Sequence, residues 1–159
     1  SLHFALAGDG GARDDLQRRA KATPAADRIH FLGMLDRADL PGLLRDADIF
    51  LSSSTTETQC LAVAEAIASS LPVVAVWDEA MRGMVVDGVN ARVAPRRVDD
   101  FAAALQDLLA APDMRQAFGR ASRELSRQFS VRAQAEAMIA LYREAIAAKK
   151  TRARRRFLP

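Results

Sequence analysis

With 159 residues, half of them hydrophobic, the chain can bury one core of ordinary size, and a single domain is expected. The formal charge is +3, but Lys149, Lys150, Arg152, Arg154, Arg155 and Arg156 supply six of the 23 basic residues, leaving 17 against 20 acids and a body near −3. That division excludes a nucleic-acid groove on the folded part, which would carry its basic stripe on regular elements, and the single cysteine, Cys60, excludes an internal disulfide.

Apolar runs of strand length alternate with stretches of helical period, as a parallel sheet with crossover helices requires. The first strand is predicted over residues 2–7, buried and ending at the turn Gly8-Asp9-Gly10-Gly11, with a polar helix over 12–22. The second strand, 28–32, closes on Gly33. Asp39 is placed to cap a helix over 40–46, with Pro41 in its first turn, where the missing N–H costs nothing. A third strand, 49–53, runs into the polar turn Ser54-Thr55-Thr56-Glu57. From 59 to 69 small and apolar residues surround one acid, Glu65, so this helix is expected to be buried on most sides. β-Branched residues over 72–76 suit a central fourth strand, and 89–94 form a fifth after the Asp87-Gly88 turn. Val98, Phe101, Ala102, Leu105, Leu108 and Leu109 then mark one face of a helix that Pro112-Asp113 breaks. A second helix extends to about Phe129, and Ser130 caps a third ending at Ala148. Residues 149–159 show no periodicity and read as a disordered basic tail. The chain opens inside a strand with no turn before it, from which a missing upstream portion is expected. The fold class is α/β: a Rossmann-like doubly wound parallel sheet of about five strands with extra C-terminal helices, spanning residues 1–148.

Two segments carry chemistry. The glycine turn lies between a strand and a helix, where backbone N–H groups meet phosphates, so Gly8 and Gly10 are nucleotide-binding candidates; a tight turn that simply needs glycine is the alternative. A dinucleotide fingerprint would need Gly or Ala at position 13, which is Arg13, and an acid closing the second strand, where Phe31-Leu32-Gly33 stands. The nicotinamide reading fails on both. The sharper signal is Glu57 and Glu65, separated by seven residues. A carboxylate in an apolar helix needs a partner, and two ribose hydroxyls would provide one, while the helix N-terminus favours an anion nearby. If the helix starts near Gln59, its rise puts the two acids roughly 10 Å apart, about the span of a diphosphate between sugar and ribose. The alternatives are that Glu57 caps the helix and that Glu65 pairs with an arginine such as Arg82. His3 and His30 read as strand residues without metal-ligand spacing to each other or to Cys60. Cys60 lacks an identifiable base that would make it a nucleophile. Trp77 and Asp78, after the fourth strand, fall at the carboxyl edge where open parallel sheets bind ligands.

The segments LAGDGG, RIHFLG, ADIFLSSSTTETQCLAVAEAIASSLPVVA and VVDGVNARV, in that order, resemble the C-terminal, donor-binding domain of family 4 retaining glycosyltransferases of the GT-B fold, over about residues 2–147. The resemblance implies that Glu57 lies against the donor sugar as the catalytic carboxylate and that Glu65 holds the ribose. It places the base beside Leu32, Gly33 and Met34 and the diphosphate near Thr58, Gln59, Cys60 and Leu61. Two departures stand out. The family's Glu-Gly-Phe-Gly-Leu is Glu57-Thr58-Gln59-Cys60-Leu61 here, and a side chain at 60 is expected to crowd the phosphates. The family's Cys-Gly before Pro-Val-Val is Ser69-Ser70, and a left-handed Ser70 would cost about 1 kcal/mol relative to glycine.

The expectation is therefore retaining transfer of a hexose from a UDP- or GDP-linked sugar, with no cofactor and no metal, and with the acceptor held by an N-terminal domain outside these residues. Because the family's phosphate-binding Arg and Lys lie upstream, little or no turnover is expected from these residues alone. A non-catalytic nucleotide-binding or assembly domain of the same fold is the alternative, favoured by the changes at Cys60 and Ser70. A signalling receiver fails because no lysine follows the last strand until Lys149. One cysteine and no apolar run of the roughly 20 residues that cross a bilayer fit a cytoplasmic protein. The basic tail reads either as a solvated terminus or as an attachment to anionic lipid at the inner face of the membrane.

Overall fold

The computed structural model describes the backbone of residues 1–155 and the side chains of residues 1–149. The chain consists of two compact units, Ser1–Leu43 and Leu44–Pro159.

In the first unit, β1 (Phe4–Ala7) runs parallel to β2 (Ile29–Gly33), with Ala5 opposite His30 and a register shift between Leu6 and Ala7. The crossover is α1 (Arg13–Lys21), which carries Asp14 and Asp15 in its first turn and Arg18, Arg19 and Lys21 in its last, the arrangement its dipole favours. The expectation of a buried first strand is corrected: three of its four residues are exposed. A two-stranded ladder beside a helix with no buried residue has too little apolar cover to enclose it. The helix α2 (Leu40–Asp46) has the predicted bounds, and its first turn closes on the Asp39 carbonyl, which accepts from the Leu43 N–H.

In the second unit three parallel strands, β3 (Phe50–Ser52), β4 (Val73–Val76) and β5 (Ala91–Ala94), follow the order β3-β4-β5. All five predicted strands exist and every pairing is parallel, but the ladders form one pair and one triplet instead of a single set. The central β4 is buried at all four positions, which accounts for its unbroken apolar sequence. Its residues alternate between two cores. Val73 and Ala75 join Val63 and Ile67 of α3 (Leu61–Ala68), together with Met81, Met84 and Val85. Val74 joins Leu108 of α4 (Val98–Ala110) and Phe118 of α5 (Pro112–Ser126). The triplet is thus covered on both faces.

The helix α3 starts at Leu61, two residues later than predicted, and buries Val63, Ala66 and Ile67 while Leu61, Ala62 and Ala68 stay exposed. Burial on most sides is therefore corrected to burial of one stripe, as a helix lying on one face of a sheet requires. The helix α5 grips the C-terminal end of α3. A Cβ on Gly119 would stand 2.5 Å from the Ser70 carbonyl oxygen, so only glycine fits there. Ser122 Oγ donates to the Leu71 carbonyl at 2.7 Å, and the Arg123 guanidinium donates to that of Ala68. Pro112 occupies the first turn of α5, as its missing N–H allows. Ser130 Oγ accepts from the Ala133 N–H at the start of α6 (Val131–Arg155). The predicted end at Ala148 and the disordered tail from 149 are corrected through 155, because Ala147, Ala148 and Lys149 are strong helix formers and no glycine or proline interrupts them. Residues 156–159 lie outside the described residues.

Candidate functional site

At the carboxyl end of the first unit's strands the glycine turn is tied to β2: the Gly8 N–H donates to the Gly33 carbonyl at 2.7 Å. Gly33 has φ +70, a left-handed backbone that glycine adopts without strain. Asp9 closes the turn, its carboxylate accepting from the Gly10 N–H at 2.8 Å and from Arg13 Nη1 at 2.9 Å. Beyond Gly33, Met34 is three-quarters exposed, and Leu32 is exposed as well. Gly8, Gly10, Leu32, Gly33 and Met34 thus gather at one end of one ladder. Sequence reasoning used Arg13 only to reject a dinucleotide fingerprint and missed its contact with this cluster. The signal was its place in the first turn of the helix that follows the glycines.

In the second unit Glu57, Thr58 and Gln59 are exposed in the irregular loop between β3 and α3. Since α3 begins at Leu61, the helical rise assumed between Glu57 and Glu65 does not apply. Cys60 is the N-terminal flanking residue and is left-handed, with φ 47 and ψ 44. Its side chain is 2% exposed and lies in the core with Val63, Ile67, Met81 and Val85. The expected crowding is corrected: the thiol points into the protein, away from the open mouth of the helix. Burial pushes its pKa up, and the charges of Glu57 and Asp78 add to that rise. A protonated, enclosed thiol is no nucleophile.

Glu65, one turn further along, is half-buried. Its suggested partner Arg82 is bonded to Glu79, which raises the arginine's pKa and lowers the glutamate's. Among the described residues no cation pairs with Glu65, and Glu57 makes no capping bond to the helix. Asp78 Oδ1 accepts from the Ala80 N–H and so caps the single turn Glu79–Met81, while Trp77 is exposed. The two histidines, far apart in sequence, are brought together by the β1–β2 pairing: His3 Nδ1 lies 3.0 Å from His30 Nε2 and the rings stack. A shallow cavity of about 280 Å³ between α1 and β2, lined by Gln17, Ala20, Lys21, Ala26, Ile29 and Phe31, shares no residue with the predicted site.

Asn90 was not singled out by the sequence. Fully buried, it accepts from the Val86 N–H and donates to the Met84 carbonyl and to Ser122 Oγ, holding the turn before β5 against α5. A lone amide between Val89 and Ala91 was the signal, since a buried amide must find partners.

The family model described as "Glycosyl transferases group 1" matches residues 1–125. The alpha-monoglucosyldiacylglycerol synthase of Acholeplasma laidlawii is 37% identical over 87 residues, which are 55% of this chain and 22% of that protein. The sucrose-phosphate synthase of Thermosynechococcus elongatus superposes with a TM-score of 0.79 at 26% identity, over 92% of this chain and 39% of that one. The Anabaena protein HepE, crystallised with UDP, superposes with a TM-score of 0.77 at 24% identity, over 89% of this chain and 41% of that one. The chain therefore spans well under half the length of these proteins.

Proposed function

The chain belongs to the glycosyl transferases group 1 family, and from that premise we propose that it binds the nucleoside diphosphate of a UDP- or GDP-linked sugar, for transfer of a hexose to an acceptor with retention. The observation that carries this reading is Glu65: a half-buried carboxylate on α3, with no cation partner among the described residues and its suggested alternative, Arg82, engaged elsewhere. A ribose diol supplies the two donors such a carboxylate lacks. The orphan N–H groups of Leu61, Ala62 and Val63 open at the mouth of the same helix, where the dipole favours a phosphate. Glu57, exposed in the preceding loop, is assigned to the donor sugar. We assign the acceptor to residues outside these 159, and a lipid acceptor is supported by the Acholeplasma relative. Among the described residues no helix is long and apolar enough to cross a membrane, so we assign any attachment to an anionic surface to the basic residues from 149 onward.

The non-catalytic alternative drew on Cys60 and Ser70: Ser70 is left-handed, as that reading expected, but a thiol turned into the core leaves the mouth of α3 open, which favours the catalytic reading. Calorimetric titration of the chain with UDP, GDP and ADP tests the proposal. Glu65→Gln should weaken nucleotide binding by about 1 to 3 kcal/mol through loss of charge-assisted bonds to ribose. Unchanged affinity would remove that role.

A further inference from the structure

We infer that His3 and His30 form a binding site for a divalent transition ion of the zinc class, held between the strands β1 and β2. Neither residue takes part in the nucleotide reading, so the two proposals stand or fall separately.

The ladder explains how two histidines 27 residues apart come to face each other. Ala5 pairs with His30, and His3, two residues before Ala5, projects from the same face. The rings are thus diagonal neighbours, and the residue beside them, Ala5, carries only a methyl group. His3 Nδ1 and His30 Nε2 stand 3.0 Å apart. The ring planes are within 10° of parallel and their centroids are 5.3 Å apart, so nitrogen meets nitrogen. Both side chains are exposed, which leaves the facing nitrogens open to an ion from solution. The spacing that a metal needs is absent along the chain and arises only across the ladder.

Three features suit the pair to a metal. Imidazole nitrogens bound at 2.0–2.1 Å to a tetrahedral ion lie about 3.3 Å from each other, so the pair has to open by only a few tenths of an ångström. Without an ion one ring donates its N–H to the other; turning an exposed ring about its Cβ–Cγ bond aims both lone pairs at a point beside that line. Ser1 Oγ lies 3.3 Å from His3 Nε2, where it can accept the ring N–H and leave the Nδ1 lone pair as the ligand, the outer hydrogen bond that metal-bound histidines commonly make. The donor type then selects the ion, because neutral imidazole suits zinc and its neighbours, whereas magnesium and calcium take oxygen. Among the described residues no group of three His, Cys, Asp or Glu is placed to hold a metal, so the pair supplies two ligands and water completes the shell. An ion held in this way braces a two-stranded ladder whose first strand is exposed at three of four positions.

The test is calorimetric titration of zinc into the full chain, free of any histidine tag, and into His3→Ala, His30→Ala and His30→Gln, with a thermal melt of each in zinc and after chelation. Magnesium is the control for a hard cation. The unaltered chain should take up zinc, melt higher with it, return to its first midpoint on chelation and show no response to magnesium. Loss of a protein ligand should weaken zinc by at least the roughly tenfold that removing a ligand's hydrogen-bond partner costs, so all three variants should fall that far or further. His30→Gln keeps a hydrogen-bonding side chain and offers no imidazole lone pair. If it melts like the zinc-free parent yet no longer binds zinc, loss of the ion is separated from loss of the fold, and the site is supported. Zinc binding that survives substitution of either histidine would place the ion elsewhere and overturn the inference. A parent chain that binds no zinc at about 0.1 mM, or that responds equally to magnesium, would overturn it as well.

Discussion

Among the described residues Ser70 and Cys60 are the two non-glycine positions with positive φ, at 66 and 47, and replacing each by glycine should move stability in opposite directions. The left-handed conformation costs an L-residue about 1 to 2 kcal/mol, of which roughly half a kcal/mol is returned when glycine adds freedom to the unfolded chain. Ser70 is exposed, so its hydroxymethyl group contributes no burial that glycine would forfeit. Ser70→Gly should therefore stabilise the chain by about 1 kcal/mol, a rise of about 3 °C in midpoint. Cys60 has the same strain, but its side chain is 2% exposed and packs with Val63, Met81 and Val85. Removing it loses the transfer energy of the thiomethyl group and leaves a small cavity, together about 2 kcal/mol. Cys60→Gly should thus destabilise by about 1 kcal/mol despite relief of strain. Urea unfolding followed by circular dichroism, with calorimetric melts, measures both. A Ser70→Gly chain no more stable than the parent, or a Cys60→Gly chain stabilised like Ser70→Gly, would refute the strain and burial accounts respectively.

Gly119→Ala should cost about 2 to 3 kcal/mol, read in the same melts, because its methyl group would have to displace the Ser70 carbonyl from 2.5 Å. Asn90→Ala should cost about 3 kcal/mol, since it strands the Val86 N–H and the Met84 carbonyl in a buried turn; proteolysis should then cut near residues 84–90 earlier than in the parent. The raised pKa of Cys60 means that the folded chain holds the thiol proton more tightly than the unfolded chain does. Its contribution is complete below the unfolded thiol range, near about 8.5, and declines as pH rises from there towards the folded value. Unfolding free energies at pH 7 and 10 should therefore fall further in the parent than in Cys60→Ala, and thiol labelling at pH 8 should be slow until urea unfolds the chain.

The alternation of apolar runs was enough to locate all five strands and to put β4 at the centre, because a strand covered on both faces cannot show polar alternation. Boundaries followed where a local rule applied, as at Pro41, Pro112 and Ser130. The sequence did not show which way Cys60 points. A left-handed backbone reverses the expected direction of a side chain, and residue type alone does not announce it. Nor did it reveal that Leu61 and Ala62 are exposed, since a run of small apolar residues reads alike on a stripe and around a whole helix. Glu65 was legible as an acid in need of a partner, because a carboxylate stands out among small apolar residues. The placement of Arg13 was not, because it depends on the Cβ that Gly33 lacks, twenty residues away in the chain.

The contacts that α5 makes with the end of α3 have one property in common. Gly119, Ser122 and Arg123 meet the carbonyl oxygens of Ser70, Leu71 and Ala68, which are main-chain atoms. Residues 68–71 can therefore exchange many of their side chains without loosening the grip, whereas adding or deleting a single residue there would shift every oxygen out of reach. In a chimera that grafts a foreign copy of α3 and the loop before it onto this scaffold, sequence would be negotiable across that segment, and its length would not.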